Sequence, residues 1–196
     1  CTQMLSQHGV ETVYYDPQAP DLDAHLAAGP IRAIFLESPG SLTFEVQDVP
    51  AITAWARAHG VVTFMDNTWA TPLYFPAMAH GVDIAILACT KYIVGHSDVM
   101  MGSVTANADW FGKIRQTAYL FGQMVSPDDA WLAARGLRTL GVRLAQHRDG
   151  ALAVARWLKD QPGVARVLHP ALPDCPGQAH WARDFSGSTG LFTFIL

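Results

Sequence analysis

Three short apolar runs of this sequence each end in residues able to do chemistry: Glu37-Ser38-Pro39-Gly40-Ser41, Asp66-Asn67-Thr68-Trp69 and Thr90-Lys91-Tyr92. Lysine is scarce, occurring only at Lys91, Lys113 and Lys159, and Lys91 sits between Cys89 and the apolar Tyr92-Ile93-Val94 rather than in a polar stretch. An amine drawn out of water loses part of its preference for the protonated form, which is the condition for Schiff-base chemistry with a carbonyl group. A carboxylate at a neighbouring strand end could keep a pyridine nitrogen protonated, and that turns such a ring into an electron sink. Asp66 and Lys91 lie one strand-to-strand crossover apart, so the two could meet across a ring. Taken by itself, the pairing does not separate this chemistry from a blander alternative. In that alternative the carboxylate caps a helix or faces water, and the lysine is a surface residue.

Other constellations are weaker. Gly95-His96-Ser97-Asp98-Val99 imitates a nucleophile elbow, but Val99 stands where the closing glycine belongs. The eight histidines contain no HxxxH or HExxH spacing, so solvated surface is expected and no metal site. Cys89 reads as a buried core thiol. No GxGxxG or GxxxxGK[ST] glycine loop occurs, which leaves dinucleotide and P-loop phosphate sites without support.

The elements that must carry these residues follow from the apolar pattern. Residues 31–37, 61–66 and 84–90 form nearly continuous apolar runs, and 102–106 is a fourth candidate strand. Runs of this kind are expected of parallel strands buried on both faces. Between the first two, Asp48 to Gly60 has an acidic N-cap, a proline in its first turn, an apolar stripe at Val49, Ile52, Trp55 and Ala56, and a glycine stop. The pattern predicts an α/β fold, doubly wound, with a mainly parallel sheet and helices on both faces. In such sheets ligands sit at the carboxyl edge, which would gather Glu37, Asp66, Asn67, Thr90 and Lys91 at one crevice. Beyond residue 126 a helix is expected from Pro127 to Leu140 and another over 142–160, then a break, a strand at 164–169, a loop at 170–177 and a final strand before residue 196. The composition shift divides the chain into a partial large domain over 1–140 and a connecting helix with the start of a smaller C-terminal α/β domain over 141–196.

Of the 196 residues, 50% are hydrophobic and 15% charged, which suits a well-buried core rather than a disordered tail. A net charge of −4 gives no broad attraction to nucleic acid or to anionic membrane. No apolar run approaches the roughly 20 residues that span a bilayer. Three cysteines without a CxxC pair point to a reducing compartment. The chain opens without a signal-peptide pattern and without methionine, so it is expected to be a piece of a longer cytoplasmic protein.

The segments FLESPGSLTFEVQD, MDNTWATPLYF and above all ACTKYIVGHSDVMMG resemble the Cys/Met-metabolism family of fold-type I pyridoxal-phosphate enzymes. That family includes γ-synthases, γ-lyases and β-lyases of sulfur amino acids. The resemblance runs from residue 1 to 196, and the TKYxxGHSD block is highly specific to the group. DNTW, the run AYLFGQMVSPDDAWLAARGLRTLGVRLAQH, and HPALPDCPGQAHWARDFSGSTGLF look most like the bacterial β-lyase branch. The resemblance implies pyridoxal 5′-phosphate as cofactor, with Lys91 as the Schiff-base lysine, Asp66 as the partner of the pyridine nitrogen and Thr90 as a phosphate ligand. It makes Tyr119 a residue on the catalytic, substrate-facing side, and Trp69 a substrate-pocket residue at a position that differs from the γ-enzymes. Asn67 and Ser38 become cofactor-pocket residues.

The reaction so implied is the cleavage of L-cystathionine to L-homocysteine, pyruvate and ammonia. The Lys91 amine takes the Cα proton and can also protonate the leaving sulfur. Another member of the family, or an inactive fragment of one, is the alternative. The implied setting is methionine biosynthesis in the cytoplasm by a homotetramer of dimers that share active sites. Parts of the family site are expected outside residues 1–196. These are an N-terminal arm with a glycine-rich phosphate turn and a stacking tyrosine, tyrosine and arginine contacts from a neighbouring subunit, and the arginine that grips the substrate carboxylate. This stretch alone is therefore expected to bind the cofactor weakly and to turn over nothing useful.

Overall fold

The computed structural model describes residues 2–196. Cys1, one of the three cysteines counted above, lies outside the described residues, while Cys89 and Cys175 are buried free thiols. Two short helices, α1 (Thr2–Gln7) and α2 (Leu22–Ala28), precede β1 (Ala33–Glu37), α3 (Val49–Ala58), β2 (Val62–Asp66), α4 (Thr71–Tyr74), β3 (Ile84–Ala88) and β4 (Gly102–Ala106). The strands lie in the order β1-β2-β3-β4. The first two pairings are parallel and the third antiparallel. A parallel pair needs a crossover connection, and α3 supplies it between β1 and β2. Residues 89–101 contain turns but no helix, and β4 accordingly returns antiparallel.

The expected start of α3 is present, with the Asp48 carboxylate accepting the Ala51 N–H at 3.1 Å and proline in the first turn. α3 turns Val49, Ile52 and Ala56 into a core that also holds Ile34, Leu36, Met65 and Leu87. Parallel register aligns Ile34 with Thr63 and Leu36 with Met65, which places those residues on one buried sheet face. The other face departs from the expectation of strands buried on both sides. There Phe35 is 58% and Val104 52% exposed, while Ile84 on the same face is buried.

After β4 come α5 (Ala108–Leu120), α6 (Pro127–Leu137) and the 20-residue α7 (Leu140–Lys159). Asn107 and Ser126 cap α5 and α6 through the N–H groups of Trp110 and Asp129. A two-stranded antiparallel sheet of β5 (Arg166–Leu168) and β6 (Thr193–Ile195) follows, with its own small core of Ala155, Val167 and Leu172. Between those strands lies α8 (Gln178–Asp184), which the apolar pattern does not announce: none of its residues is buried and no side chain caps it. Its start is fixed by Gly177, whose φ is +74°; a Cβ there would stand 1.9 Å from the Val46 carbonyl oxygen. Only glycine satisfies both conditions. The C-terminal part is tied to the sheet by Arg183 Nη2, 2.6 Å from Asp48 Oδ1, and by Trp69 Nε1, which donates to the Leu191 carbonyl at 2.8 Å.

Candidate active site

The carboxyl edge of the parallel strands brings Glu37, Asp66 and the Lys91 turn together. Glu37 and Asp66 are direct register partners, and Asp66 pairs in turn with Ile86 of β3. A relay of hydrogen bonds through Thr68 and Ala88 ties the Asp66 carboxylate to the main chain of Lys91. Asp66 Oδ1 accepts the Thr68 N–H at 2.9 Å, Thr68 Oγ1 accepts the Ala88 N–H at 2.8 Å, and the Lys91 N–H donates to the Ala88 carbonyl at 3.0 Å. Thr68 therefore aims the carboxylate and holds the end of β3 at the same time, a role not visible in its position after Asn67.

Lys91 is exposed, and among the described residues its ammonium pairs with no carboxylate. The desolvated amine expected from its apolar neighbours is thus not found in this chain. Those neighbours are buried in the turn behind it, with Ile93 and Val94 in the core, while the side chain leaves the sheet edge into water. Thr90 beside it is already engaged: Oγ1 accepts the Met101 N–H at 2.9 Å and donates to the Met101 carbonyl at 3.3 Å. The second bond is long, so the hydroxyl could turn to donate to an anion at small cost.

The back of the lysine turn is held by a residue that sequence reasoning missed. Arg143 of α7 donates from Nη1 to the Tyr92 carbonyl at 2.8 Å and from Nη2 to the carbonyls of Gly136 at 2.8 Å and Ile93 at 3.3 Å. Its Nε donates to Thr139 Oγ1 at 3.0 Å. Burial holds the guanidinium below its ordinary pKa. The sequence does carry a signal: Arg143 follows Gly136 by seven residues and shares its helical face with the buried Leu140 and Leu144, where an apolar residue is the usual occupant. The Tyr92 hydroxyl adds a further link by accepting the Gly190 N–H at 3.0 Å.

The remaining expected site residues are placed elsewhere or are otherwise occupied. Ser38 is buried and its hydroxyl accepts the Gln47 N–H at 3.0 Å, which shapes the loop after β1. Asn67 is buried, donates to the Phe75 carbonyl at 2.8 Å and keeps one unpartnered oxygen, Oδ1. Trp69 is a core residue rather than an open pocket wall. Its ring packs edge-on against His169 and Phe185, and its N–H goes to Leu191. Tyr119 stands 84% exposed at the end of α5, in an apolar patch with Leu120, Phe121 and Met124. Ser97 of the elbow-like segment has a φ of +57° but sits exposed in the loop before β4.

A free primary amine, a carboxylate fixed by a main-chain N–H, and a hydroxyl able to turn outward share one sheet edge. That donor set fits pyridoxal 5′-phosphate, whose aldehyde, ring nitrogen and phosphate call for those three groups in turn. Comparison with known proteins gives the same direction. The chain is 50% identical to the cystathionine beta-lyase MetC of Escherichia coli strain K12, over all of this chain and 50% of that protein. It is 47% identical to the cystathionine beta-lyase of Haemophilus influenzae, again over all of the chain and 50% of the relative. Among solved structures it superposes on a cystathionine gamma-lyase from Lactobacillus plantarum complexed with L-serine with a TM-score of 0.92, at 30% identity, covering 99% of this chain and 51% of that one. The chain thus spans about half the length of the relatives it matches. Residues 1–196 match throughout the family described as Cys/Met metabolism PLP-dependent enzyme, and the chain belongs to that family.

Proposed function

We propose that this chain is the cofactor-anchoring part of a carbon–sulfur β-lyase that converts L-cystathionine and water to L-homocysteine, pyruvate and ammonia. The observation that carries the reading is the placement of Asp66 and the Lys91 turn on one sheet edge, tied through Thr68 and Ala88 to the Lys91 main chain. Relatives 47–50% identical over the whole chain bear the β-lyase name. When bound, pyridoxal 5′-phosphate supplies an electron sink for negative charge developing at the substrate Cα. Lys91 Nζ holds the cofactor between turnovers. Once released by the substrate amine, it stands at the sheet edge as the base that takes the Cα proton. The same nitrogen then gives a proton to the departing sulfur as the Cβ–S bond breaks. Asp66, held by Thr68, would partner the ring nitrogen of the bound cofactor. Thr90 would turn its hydroxyl from Met101 to hold the phosphate.

The two separate sheets support a division near 140/141, with α7 as connector and the larger core reaching across it to Leu168, Cys175 and Phe185. The exposed Tyr119, Leu120, Phe121 and Met124 support assembly with further copies, read here as a tetramer of the family type. Among the described residues no helix is long and apolar enough to cross a membrane, and a cytoplasmic setting is part of the same reading. The test is borohydride reduction of the full-length protein with pyridoxal 5′-phosphate, then peptide mapping and keto-acid analysis with L-cystathionine. Cofactor fixed at Lys91 and pyruvate formed is the expected result. Formation of 2-oxobutyrate would point to the γ-lyases, and no fixation at Lys91 would overturn the assignment.

A further inference from the structure

We propose that Arg143 is a positioning residue for Lys91, acting through the main-chain turn that carries the amine. The inference rests on the reading of Lys91 as the cofactor lysine. The turn from Thr90 to Gly95 leaves β3 with the carbonyls of Tyr92 and Ile93 facing α7. Neither carbonyl accepts a main-chain hydrogen bond, and Arg143 reaches both. The fork is itself fixed, since Nε is bound to Thr139 and Nη2 also to Gly136. A planar guanidinium with all its bonds aimed in one plane holds direction as well as distance, which a lysine ammonium could not do.

The surrounding glycines have the shape this contact needs. A Cβ on Gly95, whose φ is +76°, would stand 2.2 Å from Arg143 Nη1, and one on Gly136 would stand 2.2 Å from the Ile93 carbonyl oxygen. Lys91 is therefore gripped from two sides. Thr68 holds Ala88 in front and Arg143 holds Tyr92 and Ile93 behind, so the Cα of Lys91 cannot swing relative to Asp66. The side chain itself is long and exposed, and this fixed base limits the directions its amine can take. A charge on a partly buried helix face is costly to keep without such a purpose, since an apolar residue of similar volume could pack α7 as well.

The test compares wild-type full-length protein with Arg143→Ala, Arg143→Lys and Gly95→Ala, each loaded with pyridoxal 5′-phosphate. Three quantities are read: borohydride fixation at Lys91, the pH midpoint of the bound cofactor's visible absorbance, and the melting temperature. In cofactor-free protein, the pH dependence of Lys91 acylation is followed by peptide mass spectrometry. For Arg143→Ala we expect a fall in fixation rate of about tenfold and a displaced pH midpoint. Arg143→Lys should recover part of both. Gly95→Ala pushes the fork aside and should displace the midpoint in the same direction. A lowered melting temperature with unchanged fixation and midpoint would overturn the proposal, leaving Arg143 as a fastener of α7 alone. If Arg143→Ala does not fold, Gly95→Ala decides: an unchanged midpoint overturns the proposal and a displaced one supports it. Failure of the wild type to fix cofactor at Lys91 would instead overturn the cofactor assignment. The acylation profiles would then judge Arg143 by themselves, with identical profiles in wild type and Arg143→Ala counting against it.

Discussion

Gly136→Ala and Gly112→Ala are the same substitution on two helices, and the structure gives them opposite signs. In a helix interior alanine exceeds glycine by up to about 1 kcal/mol, through lower backbone entropy loss. Gly112 lies inside α5 with nothing within 4 Å of the position a Cβ would take. The full gain is therefore expected, and for a chain of this size it raises the melting temperature by roughly 2–4 °C. Gly136 is buried near the end of α6. A Cβ there would meet the carbonyl oxygens of Ile93 at 2.2 Å and Val94 at 2.7 Å. These are main-chain atoms of the lysine turn, the Ile93 oxygen held by Arg143, and cannot rotate away as a side-chain tip would. Overpacking of this kind costs about 1–3 kcal/mol, and the propensity gain is smaller in a helix's last turn, so the net sign is destabilising. The expected fall is roughly 2–10 °C, measured by thermal unfolding in circular dichroism with both variants in parallel. A Gly136→Ala protein that melts at or above the parent temperature, while Gly112→Ala behaves as stated, would refute the claim that the turn rests directly on α6.

Four further outcomes follow from the same geometry. Thr68→Val keeps the shape but strands the Ala88 N–H, and should cost about 1–3 kcal/mol in denaturant unfolding, with Thr68→Ser recovering most of it. Asp48 both caps α3 and meets Arg183; the Arg183 hydrogen bond and the Ala51 N–H hold its carboxyl below the usual range, against the opposing effect of burial. Because exposed ion pairs contribute little, Asp48→Asn should be nearly neutral and Asp48→Ala should lose about 1 kcal/mol; equal losses would show that the pair matters more than the cap. His169 is buried, and burial pushes its pKa down from 6.5 to about 4. The unfolded chain takes up the proton first as pH falls, so stability present above pH 6.5 should decline toward pH 4 by up to roughly 3 kcal/mol. A His169→Asn variant should flatten that slope, and an unchanged slope would place the titration elsewhere. Lys91→Ala should shift stability by no more than about 0.5 kcal/mol, the exposed amine having no partner to lose, yet abolish borohydride fixation.

The strands and their chemistry were legible because they share one physical cause. An apolar run must stop where the chain turns back, so Asp66 and Lys91 at the ends of β2 and β3 could be placed on one edge from the pattern alone. The helix after Asp48 was legible for the same kind of reason, a cap with a stripe behind it. What the pattern could not report was which face of the sheet would be covered. Phe35 and Phe64 have the composition of buried residues, yet coverage depends on chain that lies over them and not on their own identity. α8 escaped because its start is set by the approach of Gly177 to Val46, a contact between residues 131 positions apart that no local window contains.

Ser38, Trp69 and Tyr119 show why resemblance carried residue types further than roles. Ser38 accepts the Gln47 N–H, Trp69 donates its indole N–H to the Leu191 carbonyl, and Tyr119 faces water at the end of α5. Trp69 in particular acts across the chain: it locks the turn after Asp66 to the segment entering β6, so its effect on a substrate would pass through the placement of that segment. Arg143 is the converse case. Its partners are carbonyl oxygens, which every residue possesses, so nothing in the types of Tyr92 and Ile93 marks them as its targets. A residue that touches a ligand must have suitable side-chain chemistry and can be suspected from its letter. A residue that holds the main chain beneath a reactive group needs only the right angle of approach, and that becomes visible only when α7 is laid against the lysine turn.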